Sequence, residues 1–231
     1  MTLTRRHFAA LTAAAASLTA APALTGKAWA QMGSELMVPG PLGERAAGAA
    51  DAPVTIIEYA SMTCGHCAAF HNDTYPALKE AYVDTGKARI VMREFPLDPL
   101  AMAAFMLAHC AAGYEPGMDF ATLASMEGEE AATRDTRYFA VVDALFKRQR
   151  QWAFTERPLD ALLDMARQIG VSEEKFNACL RDQALLDAIT EVKDRGEALG
   201  VSATPTFYIN GEEVRGARNF DEMAKLIDDA S

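Results

Sequence analysis

Two cysteines three positions apart, in the run Cys64-Gly65-His66-Cys67, constrain this chain more than any other feature. The segment before them, Val54-Thr55-Ile56-Ile57-Glu58-Tyr59-Ala60, is β-branched and aromatic and reads as a buried strand. The segment after them, Ala68-Ala69-Phe70-His71-Asn72-Asp73, opens a helix. A thiol at such a strand-to-helix junction meets the free N–H groups and the positive end of the helix dipole. That setting lowers a thiol's pKa and makes Cys64 the expected nucleophile. Two cysteines at this spacing can also close a small, exchangeable disulfide, so the chemistry implied is thiol–disulfide exchange.

The first thirty residues read as an export signal, not as part of the fold. Arg5 and Arg6 supply the charge, Ala9 to Ala23 form an alanine-rich apolar stretch, and Ala28-Trp29-Ala30 is an A-x-A cleavage site. The mature chain is expected to begin at Gln31. The apolar stretch is too short and too weak to span a bilayer. Thr4-Arg5-Arg6-His7-Phe8 resembles a twin-arginine address, with an ordinary Sec signal as the alternative. No cysteine stands at the cleavage site, so no lipid anchor is expected.

Export places the cysteines in an oxidising compartment, where pairing is the norm. The two outside the motif, Cys110 and Cys179, fall on different predicted helices among apolar neighbours. The compartment favours a structural bridge between them over two free buried thiols. The formal charge is -10, and losing Arg5, Arg6 and Lys27 with the leader takes it to -13. Such an acidic chain argues against nucleic acid or an anionic membrane as partner. About two hundred residues remain after cleavage, enough for one domain with a single insertion.

Residues 32–51 are rich in Gly, Pro and Ala and read as an arm with at most one short strand. Strand 54–60 is followed by a helix over about 64–82, which Pro76 should kink. Lys87 to Phe95 reads as a second strand, parallel to the first. Helices follow from Asp98-Pro99 to Gly113, over Thr136 to Trp152, over Pro158 to Ile169, after Ser172, and from about Ala184 to Leu199. The period then returns to two. Thr206-Phe207-Tyr208-Ile209 is a strand, Asn210-Gly211 a hairpin turn, Glu212 to Arg215 the return strand, and Asn219 to Ala230 a closing helix.

This order, β-α-β, a helical block, then α-β-β-α with Cys-x-x-Cys on the first helix, resembles an α/β thioredoxin-like fold with an inserted helical domain. The text that carries the resemblance is Asp51-Ala52-Pro53-Val54 leading into Glu58-Tyr59-Ala60-Ser61-Met62-Thr63-Cys64-Gly65-His66-Cys67. It resumes at Arg93-Glu94-Phe95-Pro96-Leu97-Asp98-Pro99 and at Gly200-Val201-Ser202-Ala203-Thr204-Pro205-Thr206-Phe207. The chain is similar to the DsbA-like periplasmic thiol–disulfide oxidoreductases from about residue 38 onward. The implied division is a signal peptide over 1–30, a thioredoxin-like domain over 31–97 and 188–231, and the inserted domain over 98–187.

The resemblance implies a role for each matching residue. Cys64 is the exposed nucleophile and Cys67 the buried resolving thiol. His66 hydrogen-bonds to the Cys64 thiolate and favours it electrostatically. Thr204-Pro205 is the cis-proline turn that faces the sulfurs, and Thr204, Pro205 and Gly65 present backbone to an extended substrate. Glu58 is the buried acid that relays a proton to Cys67. From the residues alone, Glu58 is equally readable as a strand-end carboxylate on the solvated face. His71 and His109 read as surface or core-edge residues.

Three functions compete. The first is a periplasmic dithiol oxidase that passes its disulfide to newly exported proteins, is reoxidised by a quinone-linked membrane partner of the DsbB type, acts as a monomer and needs no cofactor. The second is an isomerase or reductase of the same fold. Only about twenty residues lie between the cleavage site and strand 54–60, too few for the dimerisation module of DsbC-type isomerases. The third is a metal-holding module with His66 or His71 as further ligand. Against metal stand the lack of a second Cys-x-x-Cys and the proline motif, which that reading leaves unused. Residues 114–136 are longer than the family leads one to expect and remain open between an extra helix, a loop near the substrate surface and a partner contact.

Overall fold

The computed structural model describes residues 35–231; the leader expected over 1–30 lies outside them. The centre of the fold is a five-stranded sheet in the order β1-β3-β2-β4-β5. Its strands are β1 (Arg45–Ala47), β2 (Val54–Ala60), β3 (Ala88–Glu94), β4 (Thr206–Ile209) and β5 (Glu212–Arg215). β2 pairs parallel with β3 and antiparallel with β4, so it is shielded on both edges. That position explains its almost unbroken apolar sequence.

Alternation along β2 divides the core. Ile56 and Ala60 face the larger apolar cluster, with Cys67, Phe70 and the inserted helices. Ile57 and Tyr59 face a smaller one with Val91, Phe95 and Tyr208. Glu58 is in register with the first set and points toward the same helices. On the other face a long helix passes so close that a Cβ at its Gly196 would lie 2.6 Å from the Tyr59 ring; only glycine allows that approach.

The helix after β2 is α1, running from Gly65 to Val83 in four consecutive segments, Gly65–Ala69, Phe70–Thr74, Tyr75–Leu78 and Lys79–Val83. The second and fourth are π-helical. The first of these wide turns lies just before Pro76, and Tyr75 N donates to Phe70 O five residues back. A proline cannot donate to the ladder and crowds the preceding turn. The expected kink is thus realised as a widened turn within a continuous rod.

The remaining helices are α2 (Pro99–Ala111), α3 (Phe120–Ala124), α4 (Gly128–Lys147), α5 (Gln149–Trp152), α6 (Pro158–Gln168), α7 (Glu173–Leu180), α8 (Gln183–Ala198) and α9 (Phe220–Asp229). Asp98, Ser172, Asp182 and Asn219 cap α2, α7, α8 and α9 through their side chains. The single rod α8 runs across the expected domain boundary at 187/188. No helix among the described residues is long and apolar enough to cross a membrane.

The open stretch 114–136 contains α3 and the first two turns of α4. Its polarity conceals the helix because Glu129 and Glu130 favour the N-terminal end of α4. Arg134 is buried and donates to the carbonyls of Leu123, at 2.7 Å, and Glu44, at 3.0 Å. Asp135 accepts from Ala46 N at 3.1 Å, fastening α4 to β1.

His109 is not at the surface. It is buried on α2, and its Nε2 lies 2.8 Å from Glu94 Oε1 at the end of β3. Tyr138 OH donates to the same oxygen at 2.7 Å. Burial lowers the His109 pKa, against the pull of Glu94. Burial also opposes charge on Glu94, but the bonds from His109 and Tyr138 outweigh it and hold that carboxyl down at about 2.

Cys110 on α2 and Cys179 on α7 form a disulfide that closes 69 residues of sequence. In the chain-entropy description such a link stabilises by about 4 kcal/mol. Replacing both with Ser should lower the thermal unfolding temperature while leaving exchange at Cys64 intact. An unchanged unfolding temperature would show that the bridge adds nothing.

Candidate active site

β2 ends at Ala60, and Ser61-Met62-Thr63 turns the chain into α1. Cys64 is the last residue before the helix, in an extended conformation with φ -76° and ψ 120°. Its sulfur therefore sits where a side-chain acceptor meets the open N–H groups of the first turn. Four hydrogen bonds fix this loop. Cys64 N donates to Ser61 O at 3.1 Å. Thr63 Oγ1 donates to Asp98 Oδ2 at 2.6 Å, while Asp98 Oδ1 accepts from Ala101 N at 2.8 Å and caps α2. From the insertion, buried Gln149 donates its Nε2 to the carbonyls of Met62, at 2.8 Å, and Cys64, at 3.0 Å.

Both motif cysteines are free thiols, Cys64 half-buried and Cys67 fully buried. Their acidities move apart. A hydrogen bond from Cys67 lowers Cys64; burial opposes it, and Thr204 and the backbone N–H groups of Cys67 and His66 add to it, bringing the thiol to about 5. Burial pushes Cys67 well up, and the nearby charges of Cys64 and Glu58 push it further.

The Thr204-Pro205 bond is cis, as the resemblance implies, and it leads straight into β4. As a thiol, Cys64 Sγ donates to Thr204 O at 3.3 Å. The buried Thr204 hydroxyl has no other partner among the described residues and is free to donate to the thiolate. The structure thus brings Cys64, Cys67, Thr204 and Pro205 together. Gly65 stands open beside them, with nothing within 4 Å of where a Cβ would be.

His66 is exposed, and its backbone N–H is among the groups that favour the Cys64 thiolate. Glu58 is fully buried, not on the solvated face. Its Oε2 lies 3.2 Å from His71 Nε2. His71 is likewise buried, contrary to its reading as a surface or core-edge residue.

Sequence reasoning missed Gln149 and undervalued His71. A signal for His71 existed, since it follows Cys67 by four residues and therefore shares its helix face. For Gln149 there was none, because it reaches the loop from a separate helix 85 residues away from Cys64 in sequence.

At pH about 6, an alkylating reagent should label Cys64 far faster than Cys67. The Cys64 rate should fall only as pH drops through about 5, where its thiolate is protonated. Equal labelling would remove the asymmetry. Gln149→Leu leaves the Met62 carbonyl without this donor and the Cys64 carbonyl with Ala68 N alone, and should destabilise the reduced protein by about 1–3 kcal/mol, measured by denaturant unfolding.

The thioredoxin family model matches residues 42–121 and 114–229. A Rickettsia typhi protein named as a protein-disulfide oxidoreductase is 28% identical over 182 residues, covering 77% of this chain and 58% of that protein. The chain therefore spans little more than half the length of that relative. The crystal structure of α-DsbA1 from Wolbachia pipientis aligns with a TM-score of 0.71 at 29% identity, covering 86% of this chain and 95% of the other. BdbD from Bacillus subtilis shares the fold at a TM-score of 0.63 and 19% identity, over 83% of this chain and 95% of the other. The matched span takes in the sheet, the Cys-x-x-Cys loop, the cis-proline turn and the helical insertion, and the chain belongs to the thioredoxin family, on its DsbA-like branch.

Proposed function

We propose that the chain is a protein thiol–disulfide oxidoreductase working as a dithiol oxidase, with Cys64 and Cys67 as its redox couple. The observation that carries this reading is the opposite displacement of the two thiols, Cys64 down to about 5 and Cys67 up. In the oxidised enzyme a substrate thiolate attacks Cys64 Sγ. The Cys64–Cys67 bond breaks, a mixed disulfide forms, and Cys67 leaves and is protonated. A second substrate thiolate then attacks the substrate's own sulfur in that mixed disulfide. The substrate disulfide closes, Cys64 departs as a thiolate, and two electrons have passed to the enzyme. Cys64 is a good leaving group because its thiolate is held by the first turn of α1 and by Thr204.

Thr204, Pro205 and Gly65 form the surface for extended substrate backbone, in the manner of an added strand. Glu58 exchanges the proton of Cys67. The substrates are reduced proteins in the periplasm, reached after removal of the leader, and a quinone-linked membrane protein of the DsbB type restores the disulfide to a monomeric enzyme. The sheet with α1, α8 and α9 is the catalytic domain, and α2 to α7 form the inserted one. Of the two further ligands a metal reading could use, His66 and His71, the second is engaged by Glu58 and Asp143.

The reduction potential of the couple, measured against glutathione, tests the direction. A value of about -120 to -180 mV is expected, and one near about -270 mV would make the protein a reductant. In cells, Cys67→Ser should accumulate reducible mixed disulfides on Cys64, and Cys64→Ser none. Absence of such adducts in the Cys67 variant would sink the oxidase reading.

A further inference from the structure

Cys67 must lose a proton before it can close the disulfide, yet it is 0% exposed. Glu58 shares its face of the sheet, but its side chain is also 0% exposed and needs an outlet of its own. The outlet is drawn by two contacts. His71, with a side chain 1% exposed, places Nε2 3.2 Å from Glu58 Oε2 and Nδ1 3.2 Å from Asp143 Oδ1. The Asp143 side chain is 46% exposed and lines a cleft with Tyr75, Lys79 and Asp84. Among the described residues Glu58 Oε1 has no hydrogen-bond partner, so it is open to receive a proton.

We propose that His71 and Asp143 extend Glu58 into a proton conduit joining Cys67 to solvent, an inference that rests on the oxidoreductase reading above. In the reduced protein Cys67 is a thiol, Glu58 an anion and His71 an imidazolium. When a mixed disulfide on Cys64 is resolved, the Cys67 proton moves to Glu58 Oε1. Glu58 Oε2 keeps its bond from His71 Nε2–H, and the Nδ1 proton leaves to Asp143 and then to water. The Cys67 thiolate attacks Cys64 Sγ, the new S–S bond forms, and the outgoing thiolate carries away the electron pair of the broken one. One proton has reached solvent. The Glu58–His71 pair carries no net charge before or after, first as an ion pair and then as acid and imidazole. Oxidation of a substrate runs the same transfers backward.

The surroundings suit this assignment. The ionisable groups facing His71 are Glu58 from β2, Asp143 from α4, and Cys67 and Tyr75 from α1 itself. Burial works against the imidazolium, but Glu58 and Asp143 outweigh it and push His71 up to about 9 while the cysteines are reduced. Burial raises the Tyr75 phenol, which stays protonated, with ring centroids 5.0 Å from His71. Phe146 stacks on the imidazole at 4.4 Å and holds its plane.

The test is rapid mixing of the reduced chain with oxidised glutathione. The attack of Cys64 and the resolution by Cys67 are followed as two steps across pH. His71→Gln should slow the second step by about a hundredfold. Asp143→Asn should slow it in the same sense and shift its pH midpoint, and Asp143→Glu should restore both. Asp143 is half-exposed, so its two variants decide the matter even if His71→Gln fails to fold. A second step of unaltered rate and pH midpoint in Asp143→Asn, with Glu58→Gln slow, would end the conduit at Glu58 and overturn the inference while leaving the function standing. Lack of a fast first step in the unaltered protein would instead overturn the oxidoreductase reading on which it rests.

Discussion

The site depends on where one sulfur sits. Cys64 is the residue before α1, and its sulfur lies against the N–H groups of His66 and Cys67, the thiol of Cys67 and the turn at Thr204. Each of these favours negative charge on sulfur, and together they exceed the opposing cost of burial. The rest of the architecture can be read as what holds this point still. β2 is locked between β3 and β4 and delivers the loop, and β4 begins immediately after the proline turn that faces it.

The helical insertion takes part in the same geometry. Gln149 grips the carbonyls of Met62 and Cys64, and Asp98 joins Thr63 to the start of α2. Asp143 of α4 reaches His71 in α1, so both sides of the cysteine pair touch the insertion. Buried hydrogen bonds of this kind are costly to leave half made. The insertion therefore cannot drift without exposing carbonyls or charges that the cysteine loop and α1 rely on it to satisfy. The Glu94–His109–Tyr138 cluster and the Cys110–Cys179 link brace it from behind.

Much of this was legible in the chain itself. The Cys-x-x-Cys run after a β-branched strand, the Thr204-Pro205 turn and the Asn210-Gly211 hairpin are local signals, and local chemistry decides them. Helix ends marked by Asp98, Ser172 and Asn219 were readable for the same reason. The polar start of α4 was not, because Arg134 and Asp135 are buried by partners distant in sequence and look like surface residues until those partners are known. For His66 the place between the cysteines is a local fact, whereas the direction of its side chain is not; its backbone N–H is among the groups that favour the Cys64 thiolate. Glu58 lay between two readings because strand alternation gives a face without saying what covers it.

Under the proposed oxidase function, moving the two thiols apart in acidity favours one direction for the couple. Closing the disulfide forfeits the bonds that stabilise the Cys64 thiolate, so a low Cys64 pKa makes the disulfide the better oxidant. The high pKa of Cys67 acts on kinetics, since the resolving sulfur attacks only after losing its proton. A buried thiol with no base would make reoxidation slow however favourable the potential. In the conduit proposed above Glu58 does not act alone, because a carboxylate buried without a counter-charge is costly and an isolated proton added to it still needs a way out. A histidine bonded to that carboxylate at one nitrogen and to a half-exposed acid at the other removes both difficulties, since the pair stays neutral in each redox state and its second nitrogen faces outward. On the proposed reading, an oxidising potential and a rapid return to the oxidised state are set by different residues, the first by the N-terminus of α1 and the second by β2, His71 and α4.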